Sequence, residues 1–227
     1  MKNTVSEKNS MVVIFIFCGI YAVVALLLPR LHYFRHTPLS LWIQAINYIV
    51  LGIVGMIVFR NMIQEGVNQW KAHTVKNFLW LMGAFVANII LSNLSALPLA
   101  MFYPNYVSVN DNSVAEAAAI LPIPVLFLAF GILGPVTEEF IFRIIPIKNG
   151  KRIPVVIRII VASLLFMILH MHELTPQELL YNLGMFVTGI IYSVASIKTK
   201  NATIPLLIHL LNNAPALMLM LLQTAFF

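Results

Sequence analysis

From Leu41 to Phe59 the chain reads LWIQAINYIVLGIVGMIVF, a run without a single charge. A hydrocarbon core of ~30 Å takes about 20 helical residues at a rise of 1.5 Å each, so such a run reads as a membrane-crossing helix. Six other runs have the same apolar character: roughly Met11 to Leu28, Phe78 to Tyr103, Ala117 to Phe142, Ile153 to Met171, Leu179 to Ile197 and Ile204 to Phe227. The first is followed by Pro29-Arg30-Leu31-His32-Tyr33 and not by a small-residue cleavage site, so it reads as a retained span. Composition agrees. Of 227 residues, 60% belong to the set AVILMFWYC and 10% are charged, with a mean hydropathy of +0.91, whereas a soluble domain is about 25% charged. A soluble globular protein is excluded. The expected fold is an all-α polytopic membrane protein of about seven transmembrane helices, with residues 1–227 forming one membrane domain.

The formal charge of +6 comes from basic residues scattered in short runs between apolar segments. It therefore marks topology and not a nucleic-acid surface. With the N-terminus in the cytoplasm, the inner loops hold Lys2, Lys8, Arg60, Lys71, Lys76, Lys148, Lys151, Arg152, Lys198 and Lys200, and the outer loops hold only Arg30 and Arg35. That bias predicts an N-in, C-out chain. The polar stretches Asn61 to Asn77 and Pro104 to Glu116 are loop-sized. Cys18, the one cysteine, cannot form an internal disulfide, and no clustered Cys or His spacing suggests a structural zinc site.

A charge at mid-bilayer costs at least ~2.5 to 3.5 kcal/mol on insertion scales, so ionisable residues inside the runs are the informative ones. Glu138, Glu139, His170 and His209 stand out, accompanied by Arg143 and Asn213. Glu139 and Arg143 are four apart in the order that favours a helical ion pair, which explains Glu139 as a structural group. Glu138, about 100° round the helix, is left over. Taken singly, His170 reads as a satisfied core histidine. His209 and Asn213, four apart on one helical face, read equally well as a packing hydrogen bond. What these separate readings leave unexplained is the conjunction of an acid pair and two histidines on three spans in the second half of the chain. Measured from Lys148 and Lys200, Glu138 and His209 lie at a similar depth; His170 joins them if Arg158, and not Arg152, marks the boundary. His172 and Glu173 would then face an aqueous cavity.

Glu138-Glu139-x-x-x-Arg143, Phe166-x-x-x-His170 and His209-x-x-x-Asn213, in that order on three hydrophobic segments, resemble the three motifs of the CPBP family, the CAAX-protease and bacteriocin-processing (Abi) intramembrane endopeptidases. The resemblance covers about Leu133 to Pro215 and puts the motif-bearing catalytic half at about 117–227. It implies a helical protein whose site sits in a membrane cavity opening toward the cytoplasm. It makes Glu138 the general base for a water, His170 the residue that helps to orient and activate it, and His209 with Asn213 the oxyanion-stabilising pair. Glu139, Arg143 and Phe166 would be supporting residues. The chemistry is sound in its own right, because a carboxylate in a low-dielectric pocket becomes a competent base near neutral pH and donors one helical turn apart can converge on one developing charge.

Two histidines and a glutamate are also a zinc-type donor set with an open position. The His-Glu-x-x-His helix is absent, however, and a Glu-plus-His site can activate water unaided, so the expectation is no cofactor, with zinc as the alternative. No Gly-x-Ser-x-Gly elbow and no Gly-x-Gly-Asp pair occurs. The expected function is hydrolysis of a peptide bond in a membrane-embedded, membrane-associated or lipid-modified peptide by a multi-pass protein of a bacterial plasma membrane, with the lipid bilayer as its other partner. The alternative is a non-catalytic membrane protein such as a bacteriocin immunity factor or a signalling scaffold. A proton-coupled transporter would need inverted repeats, which the sequence does not show.

Overall fold

The computed structural model describes residues 14, 16–27, 37–148 and 153–226. Lys2, Lys8, Arg30, Arg35, Lys151 and Arg152, and most of the Met11 to Leu28 run's two ends, lie outside them. The described elements are helices throughout: α1 (Ala22–Leu27, π-helical), α2 (Pro38–Val58), α3 (Arg60–Ala72), α4 (Thr74–Ser95), α5 (Leu97–Phe102), α6 (Val109–Ile120), α7 (Ile123–Leu126), α8 (Gly134–Glu139), α9 (Val155–His170), α10 (Pro176–Thr199) and α11 (Thr203–Phe226). A π-helical stretch, Phe127–Leu133, joins α7 to α8, and a second, Phe140–Lys148, follows α8. Among the described residues four helices are long and apolar enough to cross a membrane: Pro38–Val58, Thr74–Phe102, Ile123–Pro146 and Pro176–Thr199; the apolar Val155–His170 is shorter. The protein is a multi-pass, all-α membrane protein.

Local chemistry sets the helix ends. Thr37 and Thr175 cap α2 and α10, each side-chain oxygen accepting the backbone N–H three residues on, at 3.2 Å, and each is followed by a proline at the first helical position, where a missing N–H costs nothing. Lys200 ends α10 in the left-handed region at φ 54°. Asn201 then starts α11 by accepting from the Thr203 amide at 2.9 Å, and its own amide donates to the Gly66 carbonyl at 3.1 Å, stapling α3 to the α10–α11 turn.

Two apolar runs are divided. The third breaks after Ser95, before the short α5, and the fourth breaks at Leu121-Pro122, so that Ala117 to Ile120 belong to α6 and the crossing helix begins at Ile123. The two stretches read as loops are largely helical, because α3 covers most of Asn61 to Asn77 and α6 takes in residues 109–116. A polar helix lying at the end of a bundle carries no apolar run to announce it.

The helices alternate in direction. Packing of Gly184 on α10 beside Ser92 and Ser95 of α4, together with clustering of Leu81 with Tyr192, Ala195 and Ile204, sets α4 and α10 antiparallel. A Cβ on Gly189 would lie 2.8 Å from Ser163 Cα, so this glycine lets α9 and α10 meet backbone to backbone. The bundle thus has two ends. One gathers the α2–α3 and α3–α4 junctions, the start of α9 and the α10–α11 turn. It carries Arg60, Lys71, Lys76, Arg158, Lys198 and Lys200, and we call it the basic end. The far end gathers α5, α6 and the α9–α10 connection; it carries Glu116, Glu173 and Glu178 and, among the described residues, no Lys or Arg. At the far end Glu178, fully buried, accepts from the Tyr106 hydroxyl at 2.5 Å, the Val109 amide at 3.0 Å and the Asn182 side chain at 2.9 Å. Burial, and then the Glu178 carboxylate, hold the Tyr106 hydroxyl well above the usual phenol range. Exposed side chains such as Val50, Ile57, Leu79, Ile90 and Val156 cover the flanks, a surface suited to lipid and not to water.

Candidate active site

Glu138 and Glu139 sit at the end of α8, about two thirds of the way along the Ile123–Pro146 crossing. The turn ahead of them is wide because Gly134 donates to the Ala129 carbonyl, five residues back, and Pro135 has no N–H to continue an α-pattern. A Cβ on Gly134 would stand 2.9 Å from that same carbonyl oxygen, so the π-turn requires glycine there. Pro146 interrupts the second π-helical stretch in the same way. The Glu pair therefore projects from a short α segment set between two wide ones, an arrangement that recurs at functional sites.

The two carboxylates face different partners. Glu139, 1% exposed, lies 2.9 Å from His209 Nδ1 and 3.5 Å from Arg143 Nη1. Glu138, 7% exposed, accepts from the Tyr48 hydroxyl of α2 at 3.2 Å and stands 3.7 Å from His209 Nε2, beyond hydrogen-bond length but within ion-pair reach. The ring of His209 thus lies between the two acids.

Arg143 is buried, and its guanidinium rests 4.4 Å from the Phe166 ring centroid and 5.3 Å from that of Tyr192. Its Nε, Nη1 and Nη2 have no hydrogen-bond partner, so what compensates this buried cation is the Glu139 charge and two aromatic faces. The sequence expectation of an i, i+4 pair holds. It was incomplete, because the shorter bond of Glu139 runs to His209 across 70 residues of chain.

His170 is the last residue of α9. Its Nδ1 lies 2.8 Å from the Phe166 carbonyl oxygen; a carbonyl can only accept, so the proton is on Nδ1 and Nε2 is the free nitrogen. Its ring packs on Phe166 at 4.6 Å, and the ring of His209 meets the same phenylalanine at 6.0 Å. Phe166 is the spacer between the two imidazoles and the floor for Arg143. Helix α9 begins at Val155, with Arg158 in its first turns bonding back to the Ile153 carbonyl.

Glu138, His170, His209 and Asn213 line one cavity of about 660 Å³, while Glu139 and Arg143 are packed behind it. Tyr48, Tyr192 and Asn212 belong to the same assembly and have no counterpart in the motif reading. Tyr48 holds Glu138, and Tyr192 backs Arg143, packs against His209 at 5.5 Å and accepts from the Asn212 amide. The only signal for them in sequence is a hydroxyl or amide inside an apolar run. His172 also lines the cavity.

Chemically the wall offers a carboxylate, an imidazole with one free nitrogen, a second imidazole and a carboxamide around a water-sized to peptide-sized space. Among the described residues no group of three or more His, Cys, Asp or Glu is arranged to hold a metal ion. One nitrogen of each imidazole is already committed, to Phe166 and to Glu139 respectively.

Residues 120–215 match the family described as type II CAAX prenyl endopeptidase Rce1-like. The chain is also similar to the membrane-embedded CAAX protease MroQ of Staphylococcus aureus (strain USA300), with 27% identity over 152 residues, which is 63% of this chain and 58% of that protein. It thus spans less than two thirds of that relative's length. No solved structure matches the chain.

Proposed function

We propose, for a chain whose residues 120–215 belong to the CAAX-protease-like CPBP family, that it is an intramembrane endopeptidase acting on a membrane-associated or lipid-modified peptide. The observation that carries this reading is the convergence of Glu138, His170, His209 and Asn213 from three helices on one cavity inside an apolar bundle.

In this reading Glu138 takes a proton from a water whose other contact is His170 Nε2, and the water oxygen attacks the scissile carbonyl. Negative charge then develops on the carbonyl oxygen, and His209 with Asn213 supplies the stabilising donors. Collapse expels the amine, which leaves with the proton held by Glu138, so the carboxylate is regenerated and one water is consumed per bond. Glu139 is assigned the task of fixing the His209 ring through Nδ1, and Arg143 that of balancing the second carboxylate. No metal enters the scheme.

The test is a comparison of membrane peptides from cells carrying the wild-type and Glu138→Gln proteins at matched accumulation. Peptides lengthened across a cleavage point in the variant support hydrolysis. Identical peptide pools, with the biological effect intact, favour the scaffold or immunity role.

A further inference from the structure

The cavity is not centred in the bundle. Its deep lining, Glu138, Tyr192 and His209, lies toward the basic end: His209 is in the second turn of α11 and Tyr192 in the last two turns of α10. Among the described residues it runs from there only one way. Its remaining wall reaches Leu99 of α5, Ser113 of α6, and His172 and Tyr181 at the α9–α10 connection, which are all far-end positions. Below the Glu pair the path to the basic end is filled by a cluster that includes Phe59, Phe140, Phe142 and Ala202, each no more than 7% exposed. The cavity is floored on the basic side and continuous toward the far side.

The two ends differ as sharply in charge. The Lys and Arg residues of the described helix ends gather at the basic end and none stands at the far end, where the described charges are acidic. Even with Arg30 and Arg35, which precede α2 in sequence, assigned to the far end, the excess remains. Short basic loops stay in the cytoplasm during insertion.

We propose that the catalytic cavity opens on the non-cytoplasmic face of the membrane, opposite to the opening implied by the family resemblance. The substrate class is accordingly a peptide whose scissile bond is presented from that face, after translocation or while anchored in the outer half of the bilayer. The wall between mouth and site suits such a guest. Asn88, Ser92 and Asn93 of α4 line it. The Ser92 hydroxyl and Asn93 amide are used within α4, but Asn88, 5% exposed, has a side-chain oxygen without a donor. A buried carbonyl of this kind gains by accepting the backbone N–H of an extended peptide. The substrate class rests on the peptidase reading; the direction of opening does not.

The experiment uses the full-length protein in intact cells, in a Cys18→Ser background, with a membrane-impermeant maleimide. Single cysteines are placed at Ser113 in the cavity mouth, at the fully exposed Leu174 of the α9–α10 connection, and at Lys200. The proposal expects Leu174→Cys and Ser113→Cys to label from outside, and Lys200→Cys to label only after lysis. External labelling of Lys200→Cys, or protection of Leu174→Cys until lysis, overturns it. So does labelling of Leu174→Cys with Ser113→Cys unreactive in both intact and lysed cells, since the mouth would then be closed. Labelling does not depend on catalysis, so an unchanged peptide pool in Glu138→Gln cells would remove the peptidase reading while leaving the orientation measured.

Discussion

His209 and Glu139, 70 residues apart in sequence, meet through Nδ1 and Oε1 at 2.9 Å, closer than Glu139 comes to the arginine one helical turn away at 3.5 Å. The second glutamate of the pair therefore holds the histidine in place as well as balancing Arg143, and this separates what the two acids do when replaced.

Glu139→Gln leaves Arg143 as a buried cation without its counter-charge, a loss of about 3–5 kcal/mol. It should show as poor accumulation and a lower unfolding temperature in detergent. Glu138→Gln keeps an oxygen to accept from Tyr48 and should accumulate normally, with peptide hydrolysis down by at least ~100-fold. An active Glu138→Gln protein beside a stable but dead Glu139→Gln protein would reverse the assignment of the two carboxylates.

Tyr48→Phe removes the 3.2 Å donor to Glu138 together with the hydroxyl's hydrogen bond to Tyr21. A fall of roughly tenfold in kcat with KM unchanged is expected, about 1.4 kcal/mol of transition-state positioning. An unaltered kcat would show that this hydroxyl does not hold the base.

Gly189→Ala sets a methyl group 2.8 Å from the Ser163 backbone, so α9 and α10 must part, at about 1–3 kcal/mol. Gly83→Ala meets nothing within 4 Å and should be neutral. Equal thermal stability for the two variants in the same detergent would contradict the described α9–α10 contact.

At the far end, Glu178→Ala strips the Val109 amide and the Tyr106 hydroxyl of their acceptor. Hydrogen exchange should speed up at Val109 and its neighbours while the amides of α11 are unaffected. Uniform acceleration across the molecule would mean that Glu178 supports the whole bundle and not this one junction.

Incubation with a strong chelator such as phenanthroline, followed by desalting, should leave the hydrolysis rate unchanged if Glu138 and His170 activate water by themselves. Loss of activity restored by zinc would replace that scheme.

Much of the helical layout was legible because lipid demands long uncharged runs, and Leu41 to Phe59 or Leu179 to Ile197 announce themselves. Breaks inside a run were harder to see. Leu121-Pro122 divides a stretch whose hydropathy does not change across the break, and α3 and α6 are polar helices with no apolar period to reveal them. Depth counting along separate helices put Glu138 and His209 at one level, and brought His170 to it only with Arg158 as the boundary. Depth, however, says nothing about azimuth, which is why the Glu139–His209 bond was out of reach. Tyr48, Tyr192 and Asn88 stayed hidden for a different reason: a hydroxyl or amide in an apolar run is common, and only the packing of other segments shows which ones face the cavity.

The wide turns flanking Gly134–Glu139 bear on how this segment can change over generations. A helix turns by about 100° for every residue, so dropping one residue between Phe127 and Leu133 and letting the turn relax to α geometry would rotate one side of the segment against the other. Either the carboxylates would swing away from Tyr48 and His209, or the α7 side would lose its seat against α2. Point substitutions in these turns disturb one side chain at a time, while a single-codon deletion would dismantle the site at once. Length here is under tighter control than identity, with Gly134 as the exception that obeys both.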